Sequence, residues 1–179
     1  AAEEPDVTAE DLIRLAQHQK VVAIGEAGLD YHYDNSPRDL QEKGFRTHIA
    51  AARETGLPLV IHAREADDDI ARILEEETAK GAFPFVLHCF TGGPDLAMRA
   101  VDLGLYVSFS GVVSFKKNDE LRAIANAVPL DRVLVERRHQ FAFGEAQEIG
   151  AVDDVGEMRF KCGPRPRQPR RARREFQKI

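Results

Sequence analysis

At 179 residues, 43% hydrophobic and without tryptophan, the chain has the length and composition of one globular α/β domain with a sizeable core. Its net charge of −5 is uneven: residues 1–136 hold 14 Lys and Arg against 24 Asp and Glu, whereas residues 137–179 hold 11 against 6. The acidic body excludes a long electrostatic footprint on duplex DNA, although not the grip of a single phosphate through a metal. Two cysteines, Cys89 and Cys162, exclude a disulfide framework. No apolar run approaches the ~18 residues of a membrane helix, and Ala1-Ala2-Glu3-Glu4-Pro5 lacks the basic and apolar regions of a signal peptide. A soluble, cytoplasmic protein with no membrane partner is therefore expected.

In chain order, Thr8 followed by Asp11 caps a first helix whose apolar face is Leu12, Ile13, Leu15 and Ala16, running to about Gln19. A strand at 21–24 comes next, and then a loop carries Gly25, Glu26, Gly28 and Asp30 into Tyr31-His32-Tyr33-Asp34. Ser36 as N-cap, Pro37 in the first turn and Gly56 as terminator predict a helix over 37–55. Leu59-Val60-Ile61 is a strand stopping at His62, and a helix over 67–80 with Ile70, Ile73 and Leu74 inward ends at Gly81. Phe85-Val86-Leu87 is a strand stopping at His88. Thr91-Gly92-Gly93-Pro94 opens a helix with Leu96, Ala97, Ala100 and Leu103, closed by Gly104. A strand at 105–109 stops at Ser110, a helix covers 118–128, and Val133-Leu134-Val135 stops at Glu136.

These short runs are apolar throughout, without period-2 alternation, as in parallel strands flanked by helices. Strand ends at Ile61, Leu87, Phe109 and Val135 are 26, 22 and 26 residues apart, about one right-handed βα unit each. The fold class is α/β. An open doubly wound sheet and part of a (β/α)8 TIM barrel both fit the rhythm, and the barrel is favoured because strand ends then contribute to one site. About five parallel strands over residues 1–136 and an irregular, basic, poorly ordered tail over 137–179 are predicted.

Glu26, His62 and His88 carry the chemistry. A strand-end glutamate is ordinarily a solvated loop residue, and a lone histidine is ordinarily a satisfied core or surface residue. In three consecutive βα units, however, a carboxylate and two imidazoles emerging at one end of the sheet point to a divalent metal site. Cys89, beside His88, is expected to turn away and be buried. Ser108 and Ser110 show no histidine pattern that would make either a nucleophile.

Gly25-Glu26-Ala27-Gly28-Leu29-Asp30-Tyr31, Leu59-Val60-Ile61-His62-Ala63-Arg64 and Leu87-His88-Cys89-Phe90-Thr91-Gly92 resemble successive signatures of the TatD family of metal-dependent deoxyribonucleases. The resemblance covers about residues 10–136 and implies a (β/α)8-barrel hydrolase that cleaves DNA phosphodiester bonds, often from the 3′ end, with metal-activated water. It implies a divalent metal (Mg, Mn or Zn), two ions in a complete family site and at most one here. By position Glu26 matches the carboxylate that touches both metals, and His62 and His88 match two imidazoles of one metal site. Arg64, two residues past His62, lies where it could face a phosphate oxygen, and Asp30 and His32 sit in the loop beside the metal glutamate as candidates to position substrate; Asp30 serves equally as a turn cap, and Arg64 as an ordinary surface residue.

The chain departs from the family pattern in two places. There is no strand carrying His-x-His, so about three upstream strands and the second metal's ligands are missing. Where the family reads Glu-Thr-Asp-Ala-Pro, this chain reads Glu136-Arg137-Arg138-His139-Gln140, with Arg138 in the aspartate's place. Reduced or absent activity is expected, with two open sheet edges that favour instability or self-association. The alternatives are a truncated or frame-shifted non-catalytic product, at most binding metal or nucleic acid through its tail, and an amidohydrolase-type enzyme acting on C–N or ester bonds. Against the last, no lysine stands at a predicted strand end.

Overall fold

Each strand pairs with its successor in the chain. The computed structural model describes residues 7–136; the predicted basic tail over 137–179 lies outside the described residues. The elements are α1 (Ala9–Ala16), β1 (Ile24–Asp30), α2 (Arg38–Thr55), β2 (Leu59–Arg64), α3 (Asp67–Lys80), β3 (Phe85–Leu87), α4 (Pro94–Asp102), β4 (Tyr106–Phe109), α5 (Asp119–Ala127) and β5 (Val133–Val135). All four pairings are parallel, in the order β1-β2-β3-β4-β5.

Right-handed crossovers that always step in one direction set their helices on one face of the sheet. That face carries Ile24, Ala27 and Leu29 of β1, Leu59 and Ile61 of β2, Phe85 and Leu87 of β3, and Val107 and Phe109 of β4. They form one apolar cluster with Phe45, Ile49, Ile70, Leu74, Leu96 and Ile124 from the helices. The intervening positions, among them Glu26, Gly28, Val60, His62, Val86 and Ser108, belong to the opposite face. Strand order without a reversal has no switch point of the doubly wound kind. The fold is α/β, five strands and their helices of a (β/α)8 barrel.

Three local expectations are corrected. The first strand does not end at Ile24; it begins there and runs to Asp30, so the stretch expected to be a loop is strand. The reason is a β-bulge: Ile24 pairs with Leu59 and Ala27 with Ile61, so Gly25 and Glu26 together face Val60. The extra residue keeps Ile24, Ala27 and Leu29 in the core while breaking the alternation that identifies strands in sequence. Second, Ser36 does not cap α2. Pro37 takes the cap position, with extended backbone and no side-chain cap bond, while the Ser36 carbonyl accepts from Gln41 Nε2 at 2.8 Å. Third, α1 keeps its capping box, Thr8 with Asp11, but buries none of its residues, and Leu15 is exposed. No helix among the described residues is long and apolar enough to cross a membrane.

Candidate functional site

Opposite Gly28 of β1 sits His62 of β2, and the pairing of Ile61 with Leu87 brings His88 alongside His62. Glu26 and Asp30 flank Gly28, each two residues away, which is about 6.6 Å along a strand. Since Gly28 has no side chain, the His62 ring occupies the space between the two acids. Its Nδ1 is 3.1 Å from Glu26 Oε1 and its Nε2 is 3.1 Å from Asp30 Oδ2. The bulge sets Glu26 on this face, where the same Oε1 lies 3.8 Å from His88 Nε2.

His88 is held from its other side. Its Nδ1 is 2.5 Å from Oε2 of Glu136, just past β5. The second oxygen of Glu136 accepts the backbone N–H of Cys89, and its backbone N–H donates to the Phe109 carbonyl at 3.0 Å. Glu136 thus clasps the ring and the peptide behind it. A carboxylate on one ring nitrogen of a histidine leaves the other, Nε2, to face Glu26; this is how ligating imidazoles are oriented in metal sites. Glu136 is visible in the sequence as a strand-end acid, but its partner cannot be read from spacing alone because β3 and β5 are not neighbours.

The charges reinforce one another. The hydrogen bond from His62, aided by the nearby charge of His88, holds the Glu26 carboxyl below the ordinary carboxylate value despite its partial burial. His62 is raised, first by its hydrogen bond to Glu26 and then by that to Asp30. His88 is raised chiefly by Glu136. Burial works against ionisation of Asp30, yet the backbone N–H groups of Tyr33 and His32 together with His62 hold its carboxyl low.

Among the described residues, no group of three or more His, Cys, Asp or Glu side chains is arranged to hold a metal ion as it stands. The donor set nevertheless suits a divalent cation in kind: one carboxylate oxygen faces two imidazole nitrogens at 3.1 and 3.8 Å. Two donors on one ion at ~2.1 Å each stand roughly 3.0–3.4 Å apart. In the present arrangement the hydrogen bond between Glu26 and His62 takes up the Glu26 oxygen and the His62 Nδ1 that a cation would need.

Of the other residues singled out from sequence, Asp30 joins the cluster through His62 and also caps its turn, accepting from His32 N at 3.0 Å and Tyr33 N at 2.9 Å. His32 pairs with Glu65 at 2.7 Å. Arg64 lies over the Tyr33 ring, 4.8 Å from its centroid. Cys89 is only half-buried, against expectation, because its backbone adopts a positive φ of 44° after β3 ends; its Sγ lies 3.1 Å from Ser110 Oγ.

Residues 1–137 match the family model described as TatD related DNase. The chain is 46% identical over 134 residues to YabD of Bacillus subtilis, an uncharacterized metal-dependent hydrolase, covering 73% of this chain and 52% of that protein. It is 38% identical over 131 residues to a protein of Klebsiella pneumoniae named 3'-5' ssDNA/RNA exonuclease TatD, covering 72% and 49%. The solved structure of YJJV, a TatD homologue from Escherichia coli, superposes with a TM-score of 0.66 at 28% identity, over 75% of this chain and 52% of that one. The chain spans about half the length of the curated relatives it matches. With the match running through β1 to β5 and the cluster that Glu26, His62 and His88 form, the chain belongs to the TatD family, most of whose matched relatives are named metal-dependent hydrolases.

Proposed function

We propose that this chain carries part of the active site of a divalent-metal phosphodiesterase that removes nucleotides from an end of DNA. The observation that supports the reading best is Glu26 Oε1 facing His62 Nδ1 and His88 Nε2 at 3.1 and 3.8 Å. Glu26, His62 and His88 would hold one Mg, Mn or Zn ion, which when bound supplies Lewis-acid polarisation of a phosphoryl oxygen and a more acidic water. Glu136 keeps the proton of His88 on Nδ1, and Asp30 steers His62 from the far side. Arg64 and His32, on the rim beyond Asp30, are assigned to substrate, with DNA as the partner. The exonuclease name of the Klebsiella relative favours phosphodiesters over C–N bonds, as does the lack, among the described residues, of a lysine at a strand end. A cytoplasmic setting is inferred from the sparse cysteines.

The test is hydrolysis of end-labelled single-stranded DNA by the full chain in Mg or Mn, beside His88→Ala. Cleavage that falls at least about a hundredfold in the variant is expected, since losing a ligand costs more than the roughly 10–100-fold loss of a group that only orients one. Equal rates in the two proteins would overturn the proposal.

A further inference from the structure

The turn after β1 presents two tyrosines with opposite fates. Tyr31 is committed to the fold: its hydroxyl donates to Asp69 Oδ2 at 2.7 Å, and Arg38 lies over its ring at 4.0 Å. Burial, then the hydrogen bond to Asp69, pushes its pKa up to about 12. Tyr33, two residues on, is 61% exposed. It is nonetheless held firmly. Asp30 Oδ1 accepts its backbone N–H at 2.9 Å, Arg64 lies over the ring 4.8 Å from the centroid, and His32 meets it edge-on at 4.9 Å. Arg64 itself is tied to this turn, since its carbonyl accepts the Tyr31 N–H at 3.0 Å and it pairs with Asp30 across β1 and β2.

A large aromatic ring left open to water, on a backbone held by a carboxylate and beneath a stacked guanidinium, has no packing purpose of its own. The carboxylate that fixes it is the one whose other oxygen holds His62. We propose that Tyr33, backed by Arg64, is a stacking platform for an unpaired nucleobase, set in register with the Glu26–His62–His88 cluster by the two oxygens of Asp30. This rests on the phosphodiesterase reading and deepens it by naming the residue on which an unpaired base would stack. The charge of the molecule supports stacking as the means: residues 1–136 are strongly acidic, the turn itself contains Asp34, and Glu65 from the loop after β2 pairs with His32 of the turn. Phosphate attraction is weak on such a surface, whereas stacking on an aromatic face needs no net positive charge and accepts any base. A ribose or deoxyribose strand would be accepted alike at this ring.

The probe is a labelled single strand of about 10 nucleotides with phosphorothioate linkages, in deoxy and ribo versions, beside an abasic strand of equal length. Binding to the full chain in Mg is monitored by anisotropy. The base-bearing strand is expected to bind about tenfold more tightly than the abasic one, and Tyr33→Ala to abolish that difference while Tyr33→Phe retains it. The effect is expected in whichever sugar series binds. Because the chain has no tryptophan, Tyr33→Trp supplies a lone, selectively excitable indole that base-bearing but not abasic strands should quench. Undiminished preference for bases in Tyr33→Ala, or an unquenched Tyr33→Trp at saturation, would overturn the platform. Wild-type protein that binds no strand would overturn it too, along with the nuclease reading. If His88→Ala stops cleavage while Tyr33→Ala binds and cleaves as wild type, the platform alone falls.

Discussion

A Cβ added to Gly28 would lie 1.9 Å from the carbonyl oxygen of His62, and the residue has a φ of 158°, so neither the space nor the backbone suits a side chain. Gly28→Ala is expected to push β1 from β2 and cost more than about 3 kcal/mol, in the range of severe backbone and packing faults. Gly44, inside α2, is the contrast: a Cβ there meets nothing within 4 Å, and Gly44→Ala should stabilise by roughly 0.5–1 kcal/mol. Thermal melts of the two variants check the opposite signs. The acid and the two imidazoles are legible in the sequence because each marks the end of an apolar run. The sequence conceals how they meet, since the empty position between Glu26 and Asp30 matters only once the register with His62 is known. Glu136 is hidden for a similar reason, its partner lying two strands away.

At the scale of elements, α2 and α3 are joined by a charged network around Glu77, which is 5% exposed. Its carboxylate accepts from Arg46 at 2.6 Å and Arg53 at 2.9 Å, both on α2, and from Lys80 at 2.7 Å. Burial opposes ionisation, but Lys80, Arg53 and Arg46 together bring its pKa down to about 2 from an ordinary 4.5. A carboxyl depressed on folding stabilises the native state above its unfolded value, and that contribution disappears as pH falls from about 4.5 towards 2. Glu77→Gln, which leaves three cations facing a neutral amide, should cost about 3 kcal/mol near neutrality. Its melting temperature should also fall less steeply than that of wild type between about pH 5 and pH 3; parallel acid profiles would count against the network. The helices are readable from their apolar spacing, and α3 spans Asp67–Lys80 as predicted. The first strand is misplaced by its sequence because a bulge mixes its periods, and Ser36 misleads because Pro37 can itself begin α2 without a side-chain cap.

For the molecule as a whole, β1 and β5 are edges of the sheet among the described residues, and Val135 of β5 is 75% exposed. Unpaired strand edges recruit other strands, so the full chain is expected to associate as its concentration rises, with an increase in mass measurable by light scattering; a constant monomer mass across the range would refute this. The barrel class is legible from the spacing of strand ends, because consecutive βα units leave a period in the chain even where their individual boundaries shift. Neighbour-to-neighbour strand pairing has a further consequence for how the protein is made. Glu26, His62 and His88 come from three adjoining strands, so they can assemble while the ribosome is still translating the remainder of the chain. Of the four residues Glu136 is translated last, and His88 therefore waits unclasped until β5 docks, so the cluster is completed only after its three neighbouring members are in place.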